Sequence, residues 1–164
     1  MGEVSAILLA KWDTSLLWPG FVEDLEDLLQ TLMVSGHVYR GIRNAGYRDA
    51  EAQRVLYEAW QARTGGLAAP PWESAHQFHI AGDLFPDSAI ARGSSPTMGD
   101  YAALIDACAE HPRLLSGWTF TCHDGPHVEA RRADGVAWGA AQLQQLPRTG
   151  MLDVFAVLPQ YLAK

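Results

Sequence analysis

The chain has 164 residues, 48% of them apolar and 19% charged, which is enough for one globular unit to bury a core without a disulfide or metal staple. Its formal net charge of -7 argues against a general nucleic-acid binder, and against simple electrostatic retention on an anionic surface or polymer. Two cysteines, Cys108 and Cys122, are too few for a disulfide scaffold and lack Cys-x-x-Cys spacing. Two buried thiols are the expected state, although the separation leaves a bridge open.

The N-terminal run MGEVSAILLAKWD carries an acid ahead of a short apolar stretch and has no basic segment. It reads as a poor signal peptide, and no stretch approaches the roughly 20 apolar residues of a membrane span. Helical spacing then links Phe21, Leu25, Leu28, Leu29, Leu32 and Met33, with Glu23, Asp24, Glu26 and Asp27 in the early turns, where the helix dipole favours acids. Five of the ten arginines (Arg40, Arg43, Arg48, Arg54, Arg63) follow within 24 residues. A second helix is predicted over 50–63, capped by Asp49, with Ala52, Val55, Leu56, Ala59 and Trp60 as its apolar face. Gly65-Gly66 ends it and Pro70-Pro71 opens a loop.

Residues 78–85 suit a strand. A third helix is predicted over 98–110, with Thr97 as cap, Asp100 three residues on, and Tyr101, Leu104, Ile105 and Cys108 as the buried stripe. Residues 114–121 read as a strand. From Trp138 onward, short helices are interrupted near Pro147 and Pro159. With no repeat or linker, the expectation is a single α+β domain over 1–164, a small antiparallel sheet packed with helices.

Two segments place polar ligand types where a core strand would be apolar: Ser74-Ala75-His76-Gln77-Phe78-His79-Ile80-Ala81-Gly82-Asp83-Leu84 and His123-Asp124-Gly125-Pro126-His127-Val128-Glu129. Together they offer two histidines and a carboxylate, a set that leaves a fourth tetrahedral position on zinc open for water. Each segment alone is a weak signal, because a lone histidine near a strand is more often structural. There is no His-Glu-x-x-His helix.

Ser74-x-His76-x(6)-Asp83-Leu84, followed about forty residues later by Asp124-x-x-His127, resembles the peptidoglycan zinc peptidases. That group comprises D-alanyl-D-alanine carboxypeptidases, VanX- and VanY-like enzymes and L-alanyl-D-glutamate endolysins, of hedgehog/DD-peptidase fold. A third element, the Gly46-Tyr47-Arg48 turn before a helix containing Gln53, stands in the family's order, so that the likeness spans roughly residues 36–130. The resemblance implies His76, Asp83 and His127 as ligands of one zinc ion, Asp124 as general base and Arg48 facing the scissile carbonyl or a substrate carboxylate. Ser74 and Glu129 are expected beside substrate or behind the ligands, with Tyr47 and Gln53 supporting the Arg48 turn. His123 is expected to serve likewise, with a solvated or structural role as the alternative for both His123 and Glu129, and Trp72 and Trp118 to be core residues or walls of the cleft.

The sequence departs from the family at His79, where the family usually has glycine, and at Ala45, where serine is more usual. Residues three apart on a strand point to opposite faces, so His79 joins His76 as a ligand only if the backbone bends. A place for His79 beside substrate or behind the ligands is the expectation. The resemblance implies a zinc-dependent peptidase acting on the peptidoglycan stem peptide, while the charge and the apolar runs lead to the expectation of no nucleic-acid partner and no membrane span. A phage lysis protein released through a holin would need no signal. The contrasting reading is a non-catalytic, metal-retaining binding or phage-structural module of the same fold. Carboxypeptidase, dipeptidase and endopeptidase action would differ in cleft-closing loops, expected over 64–73 and 86–96.

Overall fold

Pro19 opens the first helix, α1 (Pro19–Val34), of the computed structural model, which describes residues 13–41 and 46–164. Proline is tolerated at a helix start because that N–H has no intrahelical partner. The N-terminal run as far as residue 12, Arg43 and Ala45 lie outside the described residues. Phe21, Leu25, Leu28, Leu29 and Leu32 form the buried stripe that the periodicity predicts. The acids stand in the early turns but past the first, because the helix begins at Pro19. Asp24 is instead buried and accepts from Arg113 Nε at 2.7 Å, a partner from a distant segment.

Strand β1 (Tyr39–Gly41) precedes helix α2 (Ala50–Gln61), whose cap is as predicted: Asp49 Oδ1 accepts the Ala52 amide at 2.8 Å. The predicted apolar face of α2 is not buried. Val55, Leu56 and Trp60 are 53%, 42% and 41% exposed, and Gln53 is the buried residue of the helix. Helical periodicity decides which side chains share a face, whereas burial needs another element to cover that face.

Strand β2 (Ala81–Pro86) begins later than predicted. Residues Ala75–Phe78 form a 3-10 turn instead, ended by His79 in the left-handed conformation (φ 66°). Helix α3 (Asp87–Arg92) occupies part of the segment expected to be a loop. Thr97 and Asp100 make the expected capping box at a 3-10 turn, Met98–Tyr101, which runs into α4 (Ala102–Glu110). Strand β3 (Leu114–Ser116) is shorter than predicted because Ser116 caps a 3-10 turn, Gly117–Thr119, accepting the Trp118 amide at 3.1 Å. Strand β4 (His127–Ala130) follows, then the short helices α5 (Ala140–Leu143) and α6 (Met151–Val157).

The strands form one antiparallel sheet in the order β1-β2-β4-β3, so the architecture is α+β as expected. Helix α1 packs on α4 and α4 on β3. Ile80 and Leu84 join Val128, Leu114, Leu104 and the α1 leucines in the core. The opposite face of β2 and β4 is thereby left for polar side chains. Cys108 is buried as expected, but Cys122 is exposed, and both thiols are free. Among the described residues, no helix is long and apolar enough to cross a membrane.

Candidate metal centre

Register across β2 and β4 builds the site. Asp83 pairs with His127 and Ala81 with Glu129, so that Asp83, His127 and Glu129 share one sheet face by the two-residue repeat of a strand. The small Ala81 opposite Glu129 leaves room for its carboxylate. The 3-10 turn Ala75–Phe78 brings His76 to the same place from outside the sheet. His76 Nε2 lies 3.2 Å from His127 Nδ1 and 3.2 Å from Asp83 Oδ1, and the remaining edge, His127 Nδ1 to Asp83 Oδ1, is 3.5 Å.

Those edges suit a tetrahedral zinc ion: bonds of about 2.0–2.1 Å at tetrahedral angles put donor atoms roughly 3.3 Å apart. The outer hydrogen bonds also suit it. His76 Nδ1 donates to Gly46 O at 2.7 Å, which turns its Nε2 lone pair inward. His127 Nε2 donates to Glu129 Oε2 at 3.1 Å, which turns its Nδ1 lone pair inward. Two lone pairs and a carboxylate oxygen can then converge on one point, as the ligands of a metal ion must. Among the described residues, these three make up the one cluster of possible metal ligands.

The electrostatics agree. Burial holds the His76 pKa below its ordinary value, against the pull of Asp83, which keeps this imidazole a neutral donor. Burial would raise Asp83, but His76, His127 and Arg48 outweigh it and hold the carboxylate well below its usual range. Burial likewise opposes protonation of His127, yet the hydrogen bonds to Asp83 and Glu129 push it up to about 10. Two buried carboxylates around one imidazole thus attract a positive charge, which a metal ion supplies more fully than a proton.

Arg48 stands beside the cluster. Its Nη2 donates to Asp83 Oδ2 at 2.6 Å and lies 2.9 Å from His76 Nε2, while Nη1 donates to Gln53 Oε1 at 3.3 Å. Gln53 is held in turn by Ala69 O, 2.7 Å from its Nε2, so the buried glutamine supports Arg48 as expected. Glu129 also accepts the Trp138 amide at 2.8 Å through Oε1, which fixes it behind His127. Asp124 lies in the same cleft, and burial raises its pKa, with Asp83 adding to the shift and His127 and Arg48 opposing it.

The cleft measures about 580 Å3, and its walls include all three donor residues, Arg48, Asp124, Ser74 and Glu129. His79 is not among them. Its Nδ1 donates to Leu16 O at 2.6 Å and its ring stacks on Tyr47, so it faces away from the donor cluster. His123 stacks on Trp118 and donates to Trp118 O at 2.5 Å, a structural arrangement outside the cleft. Trp72 and Trp118 do not line the cleft either; its aromatic walls are Trp60, Phe85, Phe120 and Trp138. Of the two predicted loops, the 64–73 segment flanks the cleft and the 86–96 segment does not. The sequence motifs assign no role to Gly117 or Gly125. A Cβ at Gly117 would lie 2.7 Å from Asp124 O and from His127 Cβ, and one at Gly125 would lie 2.7 Å from the Tyr101 ring, so both glycines let the Asp124 loop lie close.

No family model matches the sequence, and no curated protein matches it significantly. Solved structures do. An LD-carboxypeptidase, LdcB, is 16% identical over 79% of this chain and 62% of its own, with a TM-score of 0.51. A mutant VanY D,D-pentapeptidase from a VanB-type resistance cassette, in complex with Zn(II), is 17% identical over 77% of this chain and 75% of its own, with a TM-score of 0.50. The chain has the fold of these peptidoglycan peptidases. An L-Ala D-Glu endopeptidase from Serratia marcescens, ChiX, is 21% identical over 72% of this chain and 83% of its own, with a TM-score of 0.48.

Proposed function

We propose that this protein is a zinc-dependent peptidase that hydrolyses a peptide bond of the peptidoglycan stem peptide. The observation that carries the reading is the donor triangle of His76, Asp83 and His127, with edges of 3.2–3.5 Å, set in one cleft with Asp124 and Arg48. The substrate class is supported by the fold, which is shared with a VanYB structure in complex with D-Alanine-D-Alanine.

Bound at the triangle, zinc would act as a Lewis acid and favour ionisation of water. The remaining chemistry belongs to the chain. Asp124 takes a proton from the attacking water and delivers it to the leaving amine, the two-way transfer that a carboxylate of raised pKa performs well. Arg48, fixed by Asp83 and Gln53, presents its guanidinium to the negative charge that grows on the carbonyl oxygen. Glu129 keeps His127 in the tautomer whose Nδ1 faces inward. Trp60 and Leu67, both on the cleft wall and both partly open to solvent, offer apolar surface for the remainder of the peptide.

Asp124 and Arg48 favour an enzyme over a metal-retaining binding module, which needs no general base. Metal analysis of the purified protein should give about one zinc per chain, lost in His76→Ala and His127→Ala. Digestion of purified peptidoglycan should release new amino termini, and Asp124→Ala should stop that release while zinc stays bound. Mass spectrometry of the fragments names the bond. A metal-free wild type, or equal digestion by wild type and Asp124→Ala, would overturn the reading.

A further inference from the structure

His79 is a non-glycine residue with φ 66°, in the left-handed region that L side chains seldom adopt, and it directly follows the turn that carries His76. Such a conformation persists only where the surroundings over-determine it. Here they do. The His79 carbonyl accepts the Trp18 amide at 2.8 Å and its Nδ1 donates to Leu16 O at 2.6 Å, so both ends of the residue hold the segment leading into α1. The ring stacks on Tyr47, with centroids 4.3 Å apart and planes 5° from parallel. The edge of Phe155, on α6, meets its ring at 5.6 Å and 85°.

Tyr47 is the middle residue of the turn that serves the metal centre on both sides. Gly46, before it, supplies the carbonyl that fixes the His76 tautomer, 2.7 Å from Nδ1. Arg48, after it, reaches Asp83 and Gln53, and its backbone amide donates to His76 O at 3.3 Å. Glycine at position 79 would accept the backbone conformation more readily but would leave Tyr47 without its stacking partner.

We infer that His79 is a positioning residue that clamps the Gly46-Tyr47-Arg48 turn onto His76 through the Tyr47 stack, tying the metal centre to the N-terminal segment and to α6. This inference rests on the proposed zinc-peptidase reading, and its first test is read on the metal alone. A parallel stack at this distance fixes the Tyr47 plane, and with it the direction of the Gly46 carbonyl. Histidine thereby replaces the freedom of a glycine with a contact that glycine cannot make.

The test is zinc affinity, measured by chelator competition on the folded full-length protein, with circular dichroism to verify folding. Loss of an outer partner to a metal-ligating histidine weakens binding about 10- to 100-fold. His79→Ala and Tyr47→Ala should each lie in that range, and the double variant should be no weaker than either single one, because both remove the same contact. Tyr47→Phe, which keeps the stack, should bind zinc as wild type does. In the peptidase assay, His79→Ala should lower kcat on the order of tenfold with KM within about twofold, since Arg48 acts on the reacting bond. Wild-type zinc affinity in folded His79→Ala would overturn the inference, as would losses in the single variants that add in the double one. Failure of wild type to digest peptidoglycan would overturn the peptidase reading and leave the zinc cycle to judge His79.

Discussion

Glu129 Oε2 accepts from His127 Nε2 at 3.1 Å while its other oxygen accepts the Trp138 amide at 2.8 Å, so one buried carboxylate ties a candidate ligand to the segment that follows β4. The pairing follows from the two-residue repeat of β4 and from the alanine opposite Glu129 on β2. It sets Glu129 behind His127, against the ring nitrogen that faces away from the donor triangle. Glu129→Ala should weaken zinc binding about 10- to 100-fold, as read by chelator competition. Unchanged affinity in the folded variant would show that His127 needs no outer carboxylate.

Asp124 should cost stability at neutral pH. Its pKa is raised in the folded chain, first by burial, so the folded state favours the protonated form. That contribution is present below the unfolded pKa of about 3.9 and is lost as pH rises through the folded value. Asp124→Asn should therefore melt higher than wild type near pH 7, on the order of 2 °C, in protein stripped of metal by chelator. The gap should close below about pH 4, where the wild-type carboxyl is protonated in both states. A gap that persists in acid would assign the gain to packing rather than to charge.

Arg48 holds Asp83 and Gln53 at once with two nitrogens of one planar group. Lysine carries the charge but only one point of contact. Arg48→Lys should lower kcat by roughly 100- to 1,000-fold, the usual loss of a donor aimed at developing negative charge. Stem-peptide hydrolysis with zinc at saturation measures it, and a change confined to KM would instead make Arg48 a residue for binding the ground state.

Cys122 is exposed on the cleft wall, whereas Cys108 is buried and its thiol is pushed up to about 12 by that burial. Native labelling with a bulky maleimide should modify one thiol per chain, at Cys122. The adduct should lower kcat/KM by at least roughly tenfold through occlusion of the cleft, and Cys122→Ser should be insensitive to the reagent. Full activity of the labelled wild type would remove Cys122 from the substrate path.

Local signals carried much of the architecture. The Asp49 cap, the Thr97–Asp100 capping box and the stripes of α1 and α4 are written in neighbouring residues, and all are present in the structure. The apolar stripe of α2 was equally legible, yet Val55, Leu56 and Trp60 stay exposed, because no local pattern says what will cover a face. The strand predicted over 78–85 begins only at Ala81 for a similar reason. Its composition is extended-like, but the contacts of His79 to Leu16, Trp18 and Tyr47 stabilise a left-handed turn that neighbouring residues do not encode.

For the site, the sequence by itself determined the donor types, their order, and the company of Arg48 and Asp124. These are chemical identities at fixed spacings, and they survive any folding of the chain. Only the tertiary structure decided that His76, Asp83 and His127 converge with edges near 3.3 Å, that Glu129 backs His127, and that His79 turns away toward Tyr47. Convergence depends on the pairing of Asp83 with His127 across two strands more than forty residues apart, and a one-residue slip would turn either side chain into the core. Register is a property of the whole sheet and its core, which is why it had to be seen rather than read.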